Sequence, residues 1–254
     1  MRLDSYLFAI KKYPSRTKAC EAIERGDVTV NGKVIQKPSY DVLDVDNVVI
    51  NESGQTFVSN GGYKLEKAFE DFSFPCKDMI FADVGASTGG FTDCLLKRGV
   101  KKVFAIDVGE SLLSDELKSN EKVVVFDNFN ARNLTSTTLG ELVDGVVCDI
   151  SFISVTYVLP QIYSILKDDG FAVILIKPQF ECGKKSLNKN GIVTDKKSRF
   201  SAVKKVIDFA IEVGFYPEKF TNAPIKQDKN KEYLLLINKR QSKILNSSKI
   251  ENVI

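Results

Sequence analysis

A chain of 254 residues, 43% hydrophobic and 27% charged, has ordinary globular composition and room for one large domain or a small domain beside a medium one. It contains no histidine. That excludes Ser/His and Cys/His nucleophilic pairs, imidazole bases and the commonest zinc and iron sites, and leaves proton transfer to Lys, Asp, Glu, Tyr or Cys. The formal net charge of +3 is too small to argue for nucleic acid by itself, and the five cysteines, with no CxxC pair, read as reduced thiols. No apolar run approaches the roughly 20 residues of a membrane span, and charges interrupt the first apolar stretch, so the reading is of a cytoplasmic protein.

Residues 1–50 read as a compact unit. Leu3, Leu7 and Ile10 fall at helical spacing with Asp4 and Ser5 in the first turn, and Pro14 ends that helix. Ser15 caps a second helix, about Arg16 to Arg25, with Ala19, Ala22 and Ile23 inward. Gly26-Asp27 is a stop. Val28–Val30, an Asn31-Gly32 turn and Lys33–Ile35 form a hairpin, and Asn47 to Ile50 a last strand. The first 40 residues hold eight basic side chains against four acidic ones, a local bias the whole-chain charge conceals.

Residues 51–60, NESGQTFVSN, are polar and aperiodic and read as a linker. Beyond it, strand patterns at 79–84, 102–107, 122–127, 143–150 and 171–177 alternate with helical ones at 62–72, 90–98, 112–119, 154–167 and 198–213. Such alternation predicts an α/β fold, a parallel sheet covered on both faces. GFYPEKFTNAPI and EYLLLINKR add two strands, the last one antiparallel, and residues 241–254 read as a frayed tail.

The segment MIFADVGASTGGFTDCLLKRG is a buried strand, a small-residue turn and a helix. Gly85, Gly89 and Gly90 let backbone approach a ligand and start the helix close to the sheet. Asp107 ends the second strand, 22 residues after Gly85, where a carboxylate accepts from a ribose diol. That spacing suits NAD and S-adenosylmethionine alike, but GASTGG lacks the GxGxxG glycines that fit a pyrophosphate, which favours S-adenosylmethionine. Charged residues converge on the same sheet edge. Lys177 and Asp149 each end an apolar strand, Glu232 begins the antiparallel one, and Lys64 opens the helix before the first strand.

RLDSYL and SRTKACEAIERGDVTVNGKVIQKPS resemble the S4-type RNA-binding domain. That resemblance implies RNA backbone contacts from Arg2, Ser15, Arg16, Lys18 and Arg25, with Lys33 and Lys37 on or near the hairpin. DVGASTGGFTDCLL, FDNFNARNL, CDISFIS, LIKPQFE and the upstream GGYKLEKA resemble the haemolysin A (TlyA) family, S4-type proteins with an FtsJ-like methyltransferase domain, in order from Met1 to about Arg240. The implied fold is a small α+β S4-type domain over 1–50 and a Rossmann-like methyltransferase domain over 61–240. The implied activity is S-adenosylmethionine-dependent 2′-O-methylation of ribosomal RNA, at cytidine, on the small or large subunit or both, with no metal required. Asp83, Gly85, Ala86, Ser87, Gly89, Gly90 and Asp107 would line the cofactor, Asp127 and Asn130 would lie near the adenine, and Asp149 near the methionine end.

Lys64, Asp149, Lys177 and Glu232 match the family's Lys-Asp-Lys-Glu set, Lys177 being nearest the reacting hydroxyl. As a cation it would stabilise an alkoxide; as a neutral amine it would take the proton. APIKQDKNKE before Glu232, VGESLLSDELKSNEKV after Asp107 and the basic loop KKSLNKNGIVTDKKSRF depart from the family pattern. Two other readings are a membrane-active haemolysin, opposed by the lack of a spanning segment, and an inactive RNA-binding protein, opposed by the intact GASTGG loop and four charged positions.

Overall fold

Ser15 starts the second helix as the sequence predicts, its hydroxyl accepting the Lys18 amide at 3.2 Å. The computed structural model describes the whole chain except Pro14 and residues 51–56, 225–228 and 242–244, and omits the Ser247 side chain. The chain divides into two compact units. The smaller holds α1 (Leu3–Ala9), α2 (Arg16–Arg25), β1 (Val28–Val30), β2 (Lys33–Val34) and β3 (Val48–Ile50). β1 pairs antiparallel with both other strands. Asn31 and Gly32 both take positive φ, 51° and 77°, the backbone that a two-residue hairpin turn requires. Leu3, Leu7, Ala19, Ile23, Val28, Val30 and Val42 make its core. The first helix is shorter than predicted. It stops at Ala9, because Lys11 turns left-handed at φ 57°, and Ile10 is half exposed instead of inward. Pro14, predicted to end it, lies outside the described residues.

In the larger unit α3 (Asn60–Phe72) precedes β4 (Ile80–Val84), α4 (Gly90–Lys97), β5 (Lys102–Ile106), α5 (Asp115–Lys118), β6 (Val123–Phe126), α6 (Ser136–Leu139) and β7 (Val143–Cys148). There follow α7 (Leu159–Ile165), β8 (Leu166–Ile176), α8 (Pro178–Glu181), α9 (Lys196–Val213), β9 (Tyr216–Asn222), β10 (Tyr233–Asn238) and α10 (Ser247–Val253). The sheet order is β6-β5-β4-β7-β8-β10-β9. The first five of these are parallel, β10 is antiparallel to β8, and β9 is antiparallel to β10. The chain builds outward from β4 to β6, then returns to β4's other side with β7, so the carboxyl ends of β4 and β7 flank a crevice where connections diverge.

Because successive strand residues face opposite ways, the fully buried strands feed two cores. Ala82, Val84, Val146, Cys148, Ala172, Ile174 and Ile176 join Leu159, Ile162, Val203, Val206 and Ala210 on one face. Phe81, Val147, Val173, Leu175 and Leu234 join Leu65, Phe69, Phe72, Cys94 and Leu95 on the other.

Four predicted elements of this part of the chain differ. The helix expected at 154–167 is a 3-10 turn, Val155–Tyr157, followed by α7, and Leu166 already pairs with Val143 in the sheet. The 112–119 helix shrinks to α5. Of the predicted linker, residues 51–56 lie outside the described residues, but Phe57 is buried edge-on against Tyr63 and Asn60 opens α3. The predicted frayed tail instead forms α10, whose Ile250, with Ile254, joins the main core; their i, i+4 spacing puts both on one helix face. Ile250→Ala is expected to cost about 2 kcal/mol, the low end for a buried Ile truncation in a terminal helix, measured by urea unfolding.

Candidate active site

Parallel pairing of β7 with β8, Cys148 beside Ile174, brings the residues just beyond the two strands to one edge: Asp149 after Cys148, Lys177 after Ile176. Lys177 Nζ lies 2.5 Å from Asp149 Oδ1 and donates to the Ser151 hydroxyl at 2.8 Å. The antiparallel register pairs Tyr233 with Ile176, so Glu232 stands at the same edge although it belongs to the opposite strand direction. Lys64, in the second turn of α3, bridges the set at 2.6 Å from Glu232 and 3.8 Å from Asp149. Its helix approaches this closely through glycine: a Cβ on Gly90 would lie 2.8 Å from the Gly62 amide nitrogen, and one on Gly62 would strike the Phe57 ring. All four predicted charged residues thus meet, each largely covered.

A cleft opens beside them. Gly85, Ala86, Ser87, Thr88 and Gly90 line one side and Asp149, Ser151 and Lys177 the other. Gly85 has φ 86°, and a Cβ there would lie 2.6 Å from the Asp149 carbonyl oxygen. Asp107 accepts the amides of Ser87 and Gly109, both at 2.8 Å, which sets the turn against the end of β5. Asn130 uses its side-chain oxygen to accept the Arg132 amide at 3.1 Å, and Asp127 follows β6. Gly89 serves the core: its φ is 95°, and a Cβ would overlap Leu117 and Leu113. Asp83 is wholly buried and stands behind the cleft wall. Sequence reasoning did not single out Ser151, Phe152 or Glu181. The first touches Lys177, and the second, at φ 70°, exposes its ring beside Phe180 with centroids 5.6 Å apart. The available signal was their place in CDISFIS and KPQFE, directly after Asp149 and Lys177.

Family models match in two blocks, an S4 domain over residues 1–49 and an FtsJ-like methyltransferase over residues 57–240. Hemolysin A of Brachyspira hyodysenteriae is 41% identical, covering 92% of this chain and 98% of its own. The 16S/23S rRNA (cytidine-2'-O)-methyltransferase TlyA of Mycobacterium tuberculosis is 36% identical, covering 100% of this chain and 95% of its own. A solved Streptococcus thermophilus protein, named as a hemolysin, superposes with TM-score 0.77 at 33% identity, over 100% of this chain and 94% of that one. The chain belongs to the TlyA family.

TlyA-family membership and the fold make it a methyltransferase that uses S-adenosylmethionine. The residues at the cleft suit that group. The Gly85 cradle admits close backbone approach, and each Asp107 oxygen, having accepted one amide, retains a lone pair for a hydroxyl donor. Burial pushes the Asp83 carboxyl up to about 7, opposed by the Thr92 hydroxyl that donates to it at 2.6 Å, and its other oxygen has no hydrogen-bond partner among the described residues. Burial also pulls the Lys64 ammonium down, but Asp149 and Glu232 more than offset this and hold it above its ordinary range.

In the smaller unit, four of the basic residues expected on RNA, Arg2, Arg16, Lys18 and Arg25, have internal partners. Buried Asp4 accepts Arg2 at 2.9 and 3.0 Å, Arg16 at 2.8 Å and the Ser5 amide at 2.8 Å. Lys18 pairs with Glu21 and Arg25 with Asp27, while the Ser15 hydroxyl serves as the helix cap. Arg2 and Arg16 keep half of their side-chain surface exposed.

Two outcomes are expected. Gly85→Ala lowers S-adenosylmethionine affinity at least about tenfold by calorimetry while far-UV circular dichroism persists, since the methyl forces the turn away from Asp149. The two guanidinium groups hold the Asp4 carboxyl well below the usual carboxylate range. Its stabilising contribution is therefore present above the unfolded-state value, about pH 4, and is lost as pH falls further. Acid unfolding of residues 1–50, followed by amide NMR, should show this dependence, and Asp4→Asn should flatten it.

Proposed function

We propose that the chain methylates a ribose 2′-hydroxyl of cytidine in ribosomal RNA, presented within ribosomal subunits. The observation that carries this reading is the continuous Glu232–Lys64–Asp149–Lys177 chain of ion pairs beside the Gly85 cleft, in a protein without histidine. The names of its relatives and the S4 block support RNA as the substrate class.

Bound S-adenosylmethionine supplies an activated methyl group, so the chain's task is to align a weak nucleophile and manage its proton. Lys177 Nζ donates to Ser151 and stands 2.5 Å from Asp149 Oδ1, which leaves an N–H for the hydroxyl. A hydroxyl held there is oriented, and the negative charge that develops on its oxygen is stabilised in a partly desolvated pocket. Lys64, kept charged by two carboxylates, acts as an electrostatic brace for Asp149 instead of a base. Asp107, with Gly85, Ala86, Ser87 and Gly90, would hold the donor, with Asp127 and Asn130 on its adenine side; Asp83 and Gly89 support the turn from the interior side. The exposed ring of Phe152 and the partly buried ring of Phe180 give a nucleobase an apolar rim beside Lys177. The outward N–H groups of Arg2 and Arg16, together with Lys18 and Arg25, hold RNA phosphates and set register without choosing sequence.

Purified protein is incubated with methyl-labelled S-adenosylmethionine and, separately, small and large ribosomal subunits lacking the modification. Label is expected in alkali-resistant 2′-O-methylcytidine, and Lys177→Ala should lower its rate by about 10²–10⁴-fold with cofactor binding retained. Label on a base, or none on either subunit, would sink the substrate reading.

A further inference from the structure

The chain segments that leave β7 and β8 are joined at both ends. At one end Lys177 meets Asp149 and Ser151. At the other, four residues after Lys177, the Glu181 carboxylate accepts the Val155 amide at 2.8 Å and the Ser154 hydroxyl at 2.5 Å. The Glu181 side chain is 2% exposed. The Ser154 hydroxyl also receives the Thr156 amide at 3.3 Å, so the acid organises the whole 3-10 turn after the loop.

Taking a carboxylate out of water is costly, and here little Coulombic return offsets it. The cation facing it, Lys205 of α9, stands 3.8 Å from the carboxylate, half exposed, and donates instead to the Glu181 carbonyl at 3.2 Å. Burial correspondingly pushes the Glu181 carboxyl up, against its Ser154 and Val155 hydrogen bonds. The loop it fastens is itself strained. Phe152, between Ser151 and the clamped pair, sits at φ 70°, a region that bulky side chains occupy only when their surroundings hold them there.

We infer that Glu181 is a positioning residue for methyl transfer: by clamping Ser154 and Val155 it keeps Ser151 against Lys177 Nζ, and so keeps the lysine aimed into the cleft. This rests on the role given to Lys177 above. Glu181 itself lines neither the cleft nor the charged network, so it acts through the loop.

The test uses the full chain. Glu181→Ala should lower kcat about 10- to 100-fold, the cost of roughly 1 Å of misplacement, while the Kd for S-adenosylmethionine stays within about threefold. Glu181→Gln keeps an acceptor for the Val155 amide and a donor for the Ser154 oxygen, so it should restore most of that loss. A proton-carrying role would leave Gln as impaired as Ala. In a double-mutant cycle, Ser151→Ala should add little to Glu181→Ala, because both release the same contact.

Reaction of Lys177 with an amine-directed reagent, read by peptide mass spectrometry, should quicken at least about threefold in Glu181→Ala, a readout of rigidity that needs no RNA. Should Glu181→Ala fail to fold, Ser154→Ala removes one arm of the clamp and is held to the same outcomes. Unchanged Lys177 labelling, intact kcat in the folded variant or fully additive losses would overturn the clamp. A wild-type protein that transfers no methyl to RNA, with the labelling change present, would instead overturn the substrate reading alone.

Discussion

An ammonium and a carboxylate 2.5 Å apart, at the ends of neighbouring parallel strands, set the terms for everything around them. Neither group is free to move far, because each follows directly on the buried end of a strand and the two strands are paired in parallel. Partial burial makes the pair unfavourable to leave incomplete, and Lys64, Glu232 and Ser151 supply the missing partners from an amino-terminal helix, an antiparallel strand and a loop. The close approach of α3 and α4 at Gly62 and Gly90 then follows as a requirement, since Lys64 reaches Asp149 only if its helix lies that near.

The legible residues in the sequence were those whose neighbours made them anomalous. Asp149 and Lys177 interrupt long apolar strands, and Glu232 precedes one, so a periodicity argument found their shared edge. Lys64 needed the family pattern, because a lysine on an amphipathic helix is otherwise unremarkable. Glu181 was illegible for a related reason: an acid in the first turn of a short helix is commonplace, and its partners lie 26 and 27 residues away in the chain. Gly89 carries a constraint the sequence did not show: it caps α4 in the left-handed region, and a Cβ there would overlap Leu113 and Leu117 in the core. Strand interiors were well marked by their composition. The tail and the last residues of the predicted linker were misread because one or two apolar side chains carry too weak a period to reveal that they are buried.

The smaller unit treats its basic residues differently. Arg2 and Arg16 share one buried acid, so part of each guanidinium is fixed within the folded unit. Under the proposed function, that arrangement would reduce the side-chain entropy lost on binding a phosphate, while Asp4 diminishes the net positive field. Such recognition would favour geometry over long-range attraction.

The place of β10 has a consequence for how the protein is made. β10 lies between β8 and β9 in the sheet, yet it is the last of the described strands, and β9's described sheet pairing is to β10 alone. Until β10 has left the ribosome, β9 has no neighbour and β8 presents a bare, apolar edge. Synthesis must therefore reach about residue 238 before the sheet can close and Glu232 can join the other charged residues. A nascent chain of this protein carries its cofactor turn early and its complete charged network only at the very end, so an unfinished copy is an aggregation hazard and not a slow enzyme.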